Sequence, residues 1–500
     1  MGQTRYRPQR AVPVFRNQAQ DMSTRRSIFL CIAATAIFSS CNDTRLDPNG
    51  SPSSSAADQY FTVAVESIGE LFAVSKGAEL QPATRRPISS ITPTQTFDKL
   101  SLIIVTYGSP AKVVYKTTLD GWSDPSNQAS IPWSTDEGRG RYTTLRLAGD
   151  SRLEEGQSYM AYAIGYQSGS YDNYEPFAGV AIGDTYNRTE VASVKEGDVA
   201  EEIFAGAEIF FVQDGKILSK RSEEADTEQG LIVLRRQVAG TFGYFTRIPA
   251  KVGSDEVAKL RLVTTRSNRT VIFGGFRGKD DPFDFLKDNV INGMDERSDF
   301  DASLAGSSRK DAFSVYEIAL NRWFPGNTAD PRLPLDNNGD GYLDKEDDNW
   351  QTDTAMYPSG SISLPQGTVF GDRFLIATAM GREDVEAGRP TFQLQLLDAE
   401  EEVIKYWNVT LRHADPDADA DRTWVSLPDG TEGRTEISSL ENVDTESCFS
   451  IVRNRLYTMG EKSLSQNYGE DRPTDLSGAN ELVLDEHHEW QLLNSIIFNL

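Results

Sequence analysis

An all-β fold is what this sequence predicts, on three observations. Segments of alternating apolar and polar residues recur along the chain. They are rich in Val, Ile, Tyr, Phe and Thr and are bounded by Gly, Pro, Asn and Asp. Helix-length runs with apolar residues at i, i+3, i+4 and i+7 are almost absent, and only 281–290 (DPFDFLKDNV) reads as a short surface helix. With 500 residues, 38% hydrophobic and 25% charged, the chain has room for two or more domains that each bury a core.

The leading segment reads as an address rather than as fold. Residues 22–41 are MSTRRSIFLCIAATAIFSSC, in which Arg25 and Arg26 precede an eleven-residue apolar run and two small residues precede Cys41. That run is too short to span a bilayer and has the layout of a secretory signal. Residues 1–21 carry Arg5, Arg7, Arg10 and Arg16 and read as an upstream extension, with Met22 the favoured start. Residues 42–58 form a Ser/Pro/Asp tether too polar to pack.

The expected strands then follow in order. The first is 60–67 (YFTVAVES), where Phe61, Val63 and Val65 share a face. After it come 100–107, 111–116, 142–147, 158–166 and 207–213. A charged stretch, 220–230 (KRSEEADTEQG), cannot join a core and suggests a boundary between domains 59–222 and 223–500. Residues 231–248 resume as one long strand, with Gly240 and Gly243 read as a bulge or bend. Strands at 257–264, 312–319, 373–380, 391–397, 402–410, 448–459 and 490–500 complete the set. Two polar insertions, near 276–310 and 325–355, interrupt the second half; loops of that length are functional or disordered.

Charge narrows the partners. Fifty Lys and Arg stand against 75 Asp and Glu, a formal charge of -25. Such a body repels phosphate backbones, so nucleic acid is excluded, and it favours divalent cations. Three cysteines and three histidines leave little for disulfide or imidazole chemistry. There is no His-Glu-x-x-His, no Gly-x-Ser-x-Gly and no phosphate-binding Gly-Lys-Ser/Thr loop, and no enzymatic role is expected.

One segment carries a metal-site pattern. Asp336, Asn338, Asp340, Asp344 and Asp347 fall at positions 1, 3, 5, 9 and 12 of a twelve-residue loop. Gly341 at position 6 allows the sharp turn, the Tyr342 carbonyl serves at position 7, and Leu343 is the apolar anchor. This resembles the calcium loops of EF-hands and dockerins, with Asp in place of Glu at position 12. Pro331 and Pro334 before it make a free-standing Ca²⁺ loop the expectation rather than a helix pair. The alternating acids Asp415, Asp417, Asp419 and Asp421 lack the turn Gly and read as a solvated loop. His487 and His488 are strand neighbours that point to opposite faces and cannot readily share an ion.

Taken in order, several motifs resemble the fimbrillin superfamily, the subunits of Bacteroidia-type pili. Cys41 stands in a lipobox-like setting ahead of the tether and the strand YFTVAVES. Thr84-Arg85-Arg86 precedes FDKLSLIIVTY, GLIVLRRQVAG opens the second half, and the end carries IVRNRLY at 451–457 and WQLLNSIIFNL. The resemblance implies two tandem transthyretin-like β-sandwich domains, with the long insertions in the second. It implies lipidation of Cys41 with acyl chains such as palmitate, and proteolytic processing at Arg85 or Arg86 that frees 59–85 as first strand and propeptide. Because Pro87 follows Arg86, the bond after Arg85 is the better candidate. Assembly with other fimbrial subunits by strand exchange is then expected. The location implied is the outer membrane, held through the lipid, and afterwards the fimbrium. The insertions look most like those of an accessory or tip subunit, whose family role is adhesion to host or bacterial surface ligands and hence virulence. The alternative is a lipid-anchored β-sandwich that binds glycan through Trp122, Trp133 or Trp323, or a pilus base anchor.

Overall fold

A computed structural model describes residues 58–66, 97–122, 130–135, 138–188, 190–194, 199–219, 230–264, 267, 269–273, 313–357, 362–376, 392–412, 424–426, 434–436, 451, 456–462, 471–478 and 482–487. The chain divides into Met1–Ser55, outside the described residues, and one compact unit, Ala56–Leu500. The described residues of that unit are nearly all β, as expected.

Its strands begin with β1 (Gln59–Glu66), β2 (Lys99–Thr106), β3 (Val113–Asp120), β4 (Ile131–Thr135) and β5 (Gly138–Leu147). Next are β6 (Ser158–Tyr166), β7 (Val191–Ser193), β8 (Phe204–Gln213), β9 (Lys216–Ser219) and β10 (Leu231–Arg236). Then come β11 (Val238–Thr246), β12 (Ile248–Pro249), β13 (Lys251–Val252), β14 (Asp255–Glu256), β15 (Lys259–Thr264) and β16 (Thr270–Ile272). β17 (Phe313–Ala319) runs into the one-turn helix α1 (Leu320–Trp323), followed by β18 (Tyr342–Leu343), β19 (Thr368–Ile376), β20 (Phe392–Leu397) and β21 (Val403–Arg412). β22 (Trp424–Ser426), β23 (Arg434–Glu436), β24 (Leu456–Met459), β25 (Thr474–Asp475) and β26 (Leu482–His487) close the series.

Two nine-stranded sheets dominate. The first runs β3-β2-β6-β8-β10-β1-β5-β4 with β9 beside β8, and the second runs β17-β15-β20-β21-β26-β24-β11-β19 with β25 beside β11. The central strands of the first sheet bury both faces, which is why they read as continuous apolar runs rather than strict alternations. On β2, Leu100, Leu102 and Ile104 enter the smaller core with Phe61, Val63 and Val65. Ile103 and Val105 enter the larger core, which continues through Val238, Phe242 and Tyr244 into the second sheet. β6 and β8 divide the same way, with Tyr159 and Phe210 in one core and Tyr162 and Ile209 in the other.

Two expectations are corrected here. Residues 231–248 are not one strand. The chain leaves the first sheet after Arg236 and enters the second at Val238, so it changes sheets at Gln237. Gly240 and Gly243 lie inside the unbroken strand β11, paired residue for residue with β19. Gly243 faces Gly371 across that pair, and a side chain at Gly371 would press on Ile318 and Tyr316 at 2.8 and 3.0 Å. The two glycines together make the hollow that Tyr316 fills. The insertion near 325–355, expected to be functional or disordered, is an ordered excursion. Within it Leu333, Leu343, Asp344, Asp347 and Asp353 are buried, and Trp323, Phe324 and Tyr357 are buried at its two ends. The expected helix at 281–290 and the strand at 490–500 lie outside the described residues.

An acidic loop and an inlaid first strand as candidate functional sites

The acidic loop is built on a closed neck. Asn349 Nδ2 donates to the carbonyls of Pro325 (2.6 Å) and Leu335 (3.0 Å), and the Leu335 amide donates to Phe324 O at 2.9 Å. Short polar side chains then fold the loop by taking its own amides, as Asx turns do. Asp336 accepts from the amides of Gly339 (2.7 Å) and Gly341 (2.8 Å). Asn338 Oδ1 accepts from Asp340 N, and Asp340 Oδ1 from Tyr342 N, at 2.7 and 2.8 Å. Gly341 stands at φ +94, where a side chain would be strained, so position 6 needs its Gly as the pattern requires.

Asp347 forms the floor. Its carboxylate is fully buried and accepts the amides of Asn337 (2.6 Å), Asn338 (3.3 Å) and Asp344 (3.0 Å). Burial pushes its pKa up, and the three amide donors work against that shift. Asp344 is also raised, chiefly by burial, with Arg247 opposing. Leu343 is buried in the larger core, the anchoring role expected of position 8.

The structure adds what no local motif reveals. Tyr342 and Leu343, as β18, pair antiparallel with β12, and the Ala250 amide donates to Gly341 O at 2.9 Å. The loop is therefore fastened to the body through the extension of β11. From the same corner Arg247 places its Nε 3.6 Å from Asp344 Oδ2 and its guanidinium carbon 5.0 Å above the Tyr342 ring. Its Nη1 lies 3.9 Å from Asp475 Oδ2. Arg247 stands about ninety residues before the loop, so spacing alone could not find it.

The donor set suits a hard divalent cation in kind: four carboxylates, one amide oxygen and one backbone carbonyl. Among the described residues, no three Asp, Glu, His or Cys side chains already meet as a metal-holding group. In the loop they are instead turned onto backbone amides.

The second candidate site is β1. It lies inside the first sheet, antiparallel to β5 over all eight residues and parallel to β10 from Thr62 to Val65. Phe61, Val63 and Val65 are fully buried on one face, as the alternation predicts. Gln59 ties the strand's start down, donating to Leu153 O (3.0 Å) and accepting from Leu153 N (2.8 Å). Cys41, Arg85 and Arg86 lie outside the described residues, as do 415–421 and His488. Trp122 and Trp323 are buried, so neither offers a ring face to a sugar, and the Trp133 side chain is outside the described residues. No described helix is long and apolar enough to cross a membrane.

No family model and no curated protein matches the chain. Among solved structures it is similar to a fimbrial assembly protein from Parabacteroides distasonis, at 8% identity and a TM-score of 0.28, over 81% of this chain and 92% of the other. It is also similar to the fimbrial anchor protein Mfa2 from Porphyromonas gingivalis, at 9% identity and a TM-score of 0.27, over 81% and 90%. Scores this far under 0.5 assign neither family nor function.

Proposed function

We propose that the protein is a structural and adhesive subunit of a cell-surface fimbrium, accessory or at the tip. In this reading it is secreted as a precursor lipidated on Cys41, and it joins other subunits when cleavage at Arg85 or Arg86 releases β1. One observation carries the reading: β1 is inlaid between two strands rather than laid on an edge. Removing it opens a slot about 26 Å long at ~3.3 Å per residue. The slot has unpaired backbone on both walls and an apolar floor vacated by Phe61, Val63 and Val65. Each of those side chains is worth roughly 1.5–3 kcal/mol of burial, so an empty slot is a strong template for a strand from another chain. Arg85→Ala with Arg86→Ala is expected to leave secretion and folding intact and to keep the protein out of fimbriae. Normal incorporation of that double variant sinks the cleavage trigger.

We further propose that the loop from Asp336 to Asp347 binds one Ca²⁺, with Asp336, Asn338, Asp340, Asp344, Asp347 and the Tyr342 carbonyl as the oxygen donors. The ion would supply a fixed positive charge and cross-link the loop. The chain's own part is to hold the turn at Gly341 and to fasten the loop to the body through the pairing of β18 with β12. The buried tryptophans weigh against a glycan platform at those positions.

A further inference from the structure

The guanidinium of Arg247 beside the acidic loop has no place in an oxygen-only metal site. We propose that Arg247 is a resident counter-cation of the loop, which competes with a divalent ion for Asp344 and sets how weakly that ion is held. The inference rests on the calcium reading above and concerns its regulation.

Three features make Arg247 a built part of this corner rather than a passing surface charge. Its backbone sits at φ +50, a left-handed conformation uncommon for a residue with a side chain, at the step between β11 and β12. Its ring contact is with Tyr342, the position-7 residue, and its nearest carboxylate is Asp344, at position 9. A second acid, Asp475 on β25, has its Oδ2 3.9 Å from Nη1 of the same guanidinium. The side chain is 47% exposed, so it can move between the two acids without disturbing the core.

Electrostatics gives the sign. A fixed positive charge a few ångströms from a divalent ion repels it, and a guanidinium on Asp344 must give up that contact before the carboxylate can serve the ion. Neutralising Arg247 should therefore tighten binding, and removing its other acid should weaken binding by leaving Asp344 as its one carboxylate partner among the described residues. Asp475 thus acts as the release station, and Arg247 is a positioning residue rather than a ligand.

Calorimetric titration of the full chain with CaCl₂ tests this, with circular dichroism to show that each variant keeps its sheet content. Wild type should take up one ion, and Asp336→Ala with Asp340→Ala should abolish the uptake. Arg247→Gln should bind roughly threefold to thirtyfold tighter, an order-of-magnitude range for one charge at this distance in a partly solvated site. The gap should narrow in high salt. Arg247→Lys, which keeps the charge, should stay near wild type, and Asp475→Asn should bind more weakly. Wild-type uptake with an unchanged or weaker Arg247→Gln overturns the role of Arg247 while leaving the calcium loop standing. No uptake by wild type removes both.

Discussion

At the scale of single residues, the sharpest expectation concerns a buried ion pair. Lys462 Nζ lies 3.0 Å from Asp471 Oδ2, each side chain is 2% exposed, and the Tyr244 hydroxyl donates to the same oxygen at 3.1 Å. Breaking one side of such a pair strands a charge in a dry site, which typically costs 3–5 kcal/mol, whereas replacing both partners by apolar residues is often near neutral. Lys462→Ala should therefore destabilise by about 3–5 kcal/mol in denaturant melts, and Lys462→Met with Asp471→Leu by much less. Burial, opposed by Asp471, holds the Lys462 pKa below 10.5. Between that lowered value and 10.5 the unfolded chain binds more protons than the folded one, so the contribution of Lys462 to stability rises with pH across that window. Below the window it is flat. The Lys462→Met variant should lose this rise, and an unchanged pH slope would show that the lysine titrates normally. Neither partner was marked by the sequence: Lys462 sits in an ordinary polar stretch, and only the pairing of Glu461 with Arg472 sets it across from Asp471.

Elements were legible where an apolar, β-branched or aromatic run was bounded by polar and turn residues, and illegible where the chain changed sheets. β6 spans 158–166 as expected, and β1 and β2 are each within one residue of expectation. Their β-branched and aromatic content is a local property that can be read without knowing the strand's neighbours. The join at Gln237 was missed because β10 and β11 are both apolar on alternate residues, and nothing in the sequence shows that the sheet has changed. The acidic loop was legible as a pattern because its turns are made by its own Asx side chains and Gly341. Its attachment was not, since β12, Arg247 and Gly367 come from elsewhere in the chain. Gly367 is the test at this scale. It stands at φ +79, and a Cβ there would overlap the Lys345 amide nitrogen and the Asp344 carbonyl carbon. No side-chain rotation can relieve a clash with backbone. Gly367→Ala should therefore cost about 2–4 kcal/mol, in the upper range for single substitutions, and show as a lowered melting temperature. A melt unchanged from wild type would mean that the loop can lift off its seat.

For the whole molecule, the two cores set what happens when β1 is lost. Phe61, Val63 and Val65 contribute to the smaller core, while the larger core, with Met160, Tyr162, Phe242 and Trp407, contains no β1 residue. A chain beginning at residue 97 should therefore melt in two steps, the smaller core first. A peptide of residues 59–66 added to it should raise the first step and leave the second in place. A single cooperative loss at low temperature would show instead that the larger core depends on β1. The joint at Gln237 has a further consequence. This one residue separates the last strand of the first sheet from the first strand of the second, it is 3% exposed, and its amide donates to Ile203 O at 2.7 Å. Beside it Arg236 Nε reaches Glu202 Oε1 at 2.7 Å in a buried pair. Pulled from its ends, the body has no slack to pay out between its sheets. Tension crosses from β10 to β11 through a single clamped residue, and the molecule can lengthen there only by tearing strands from their neighbours.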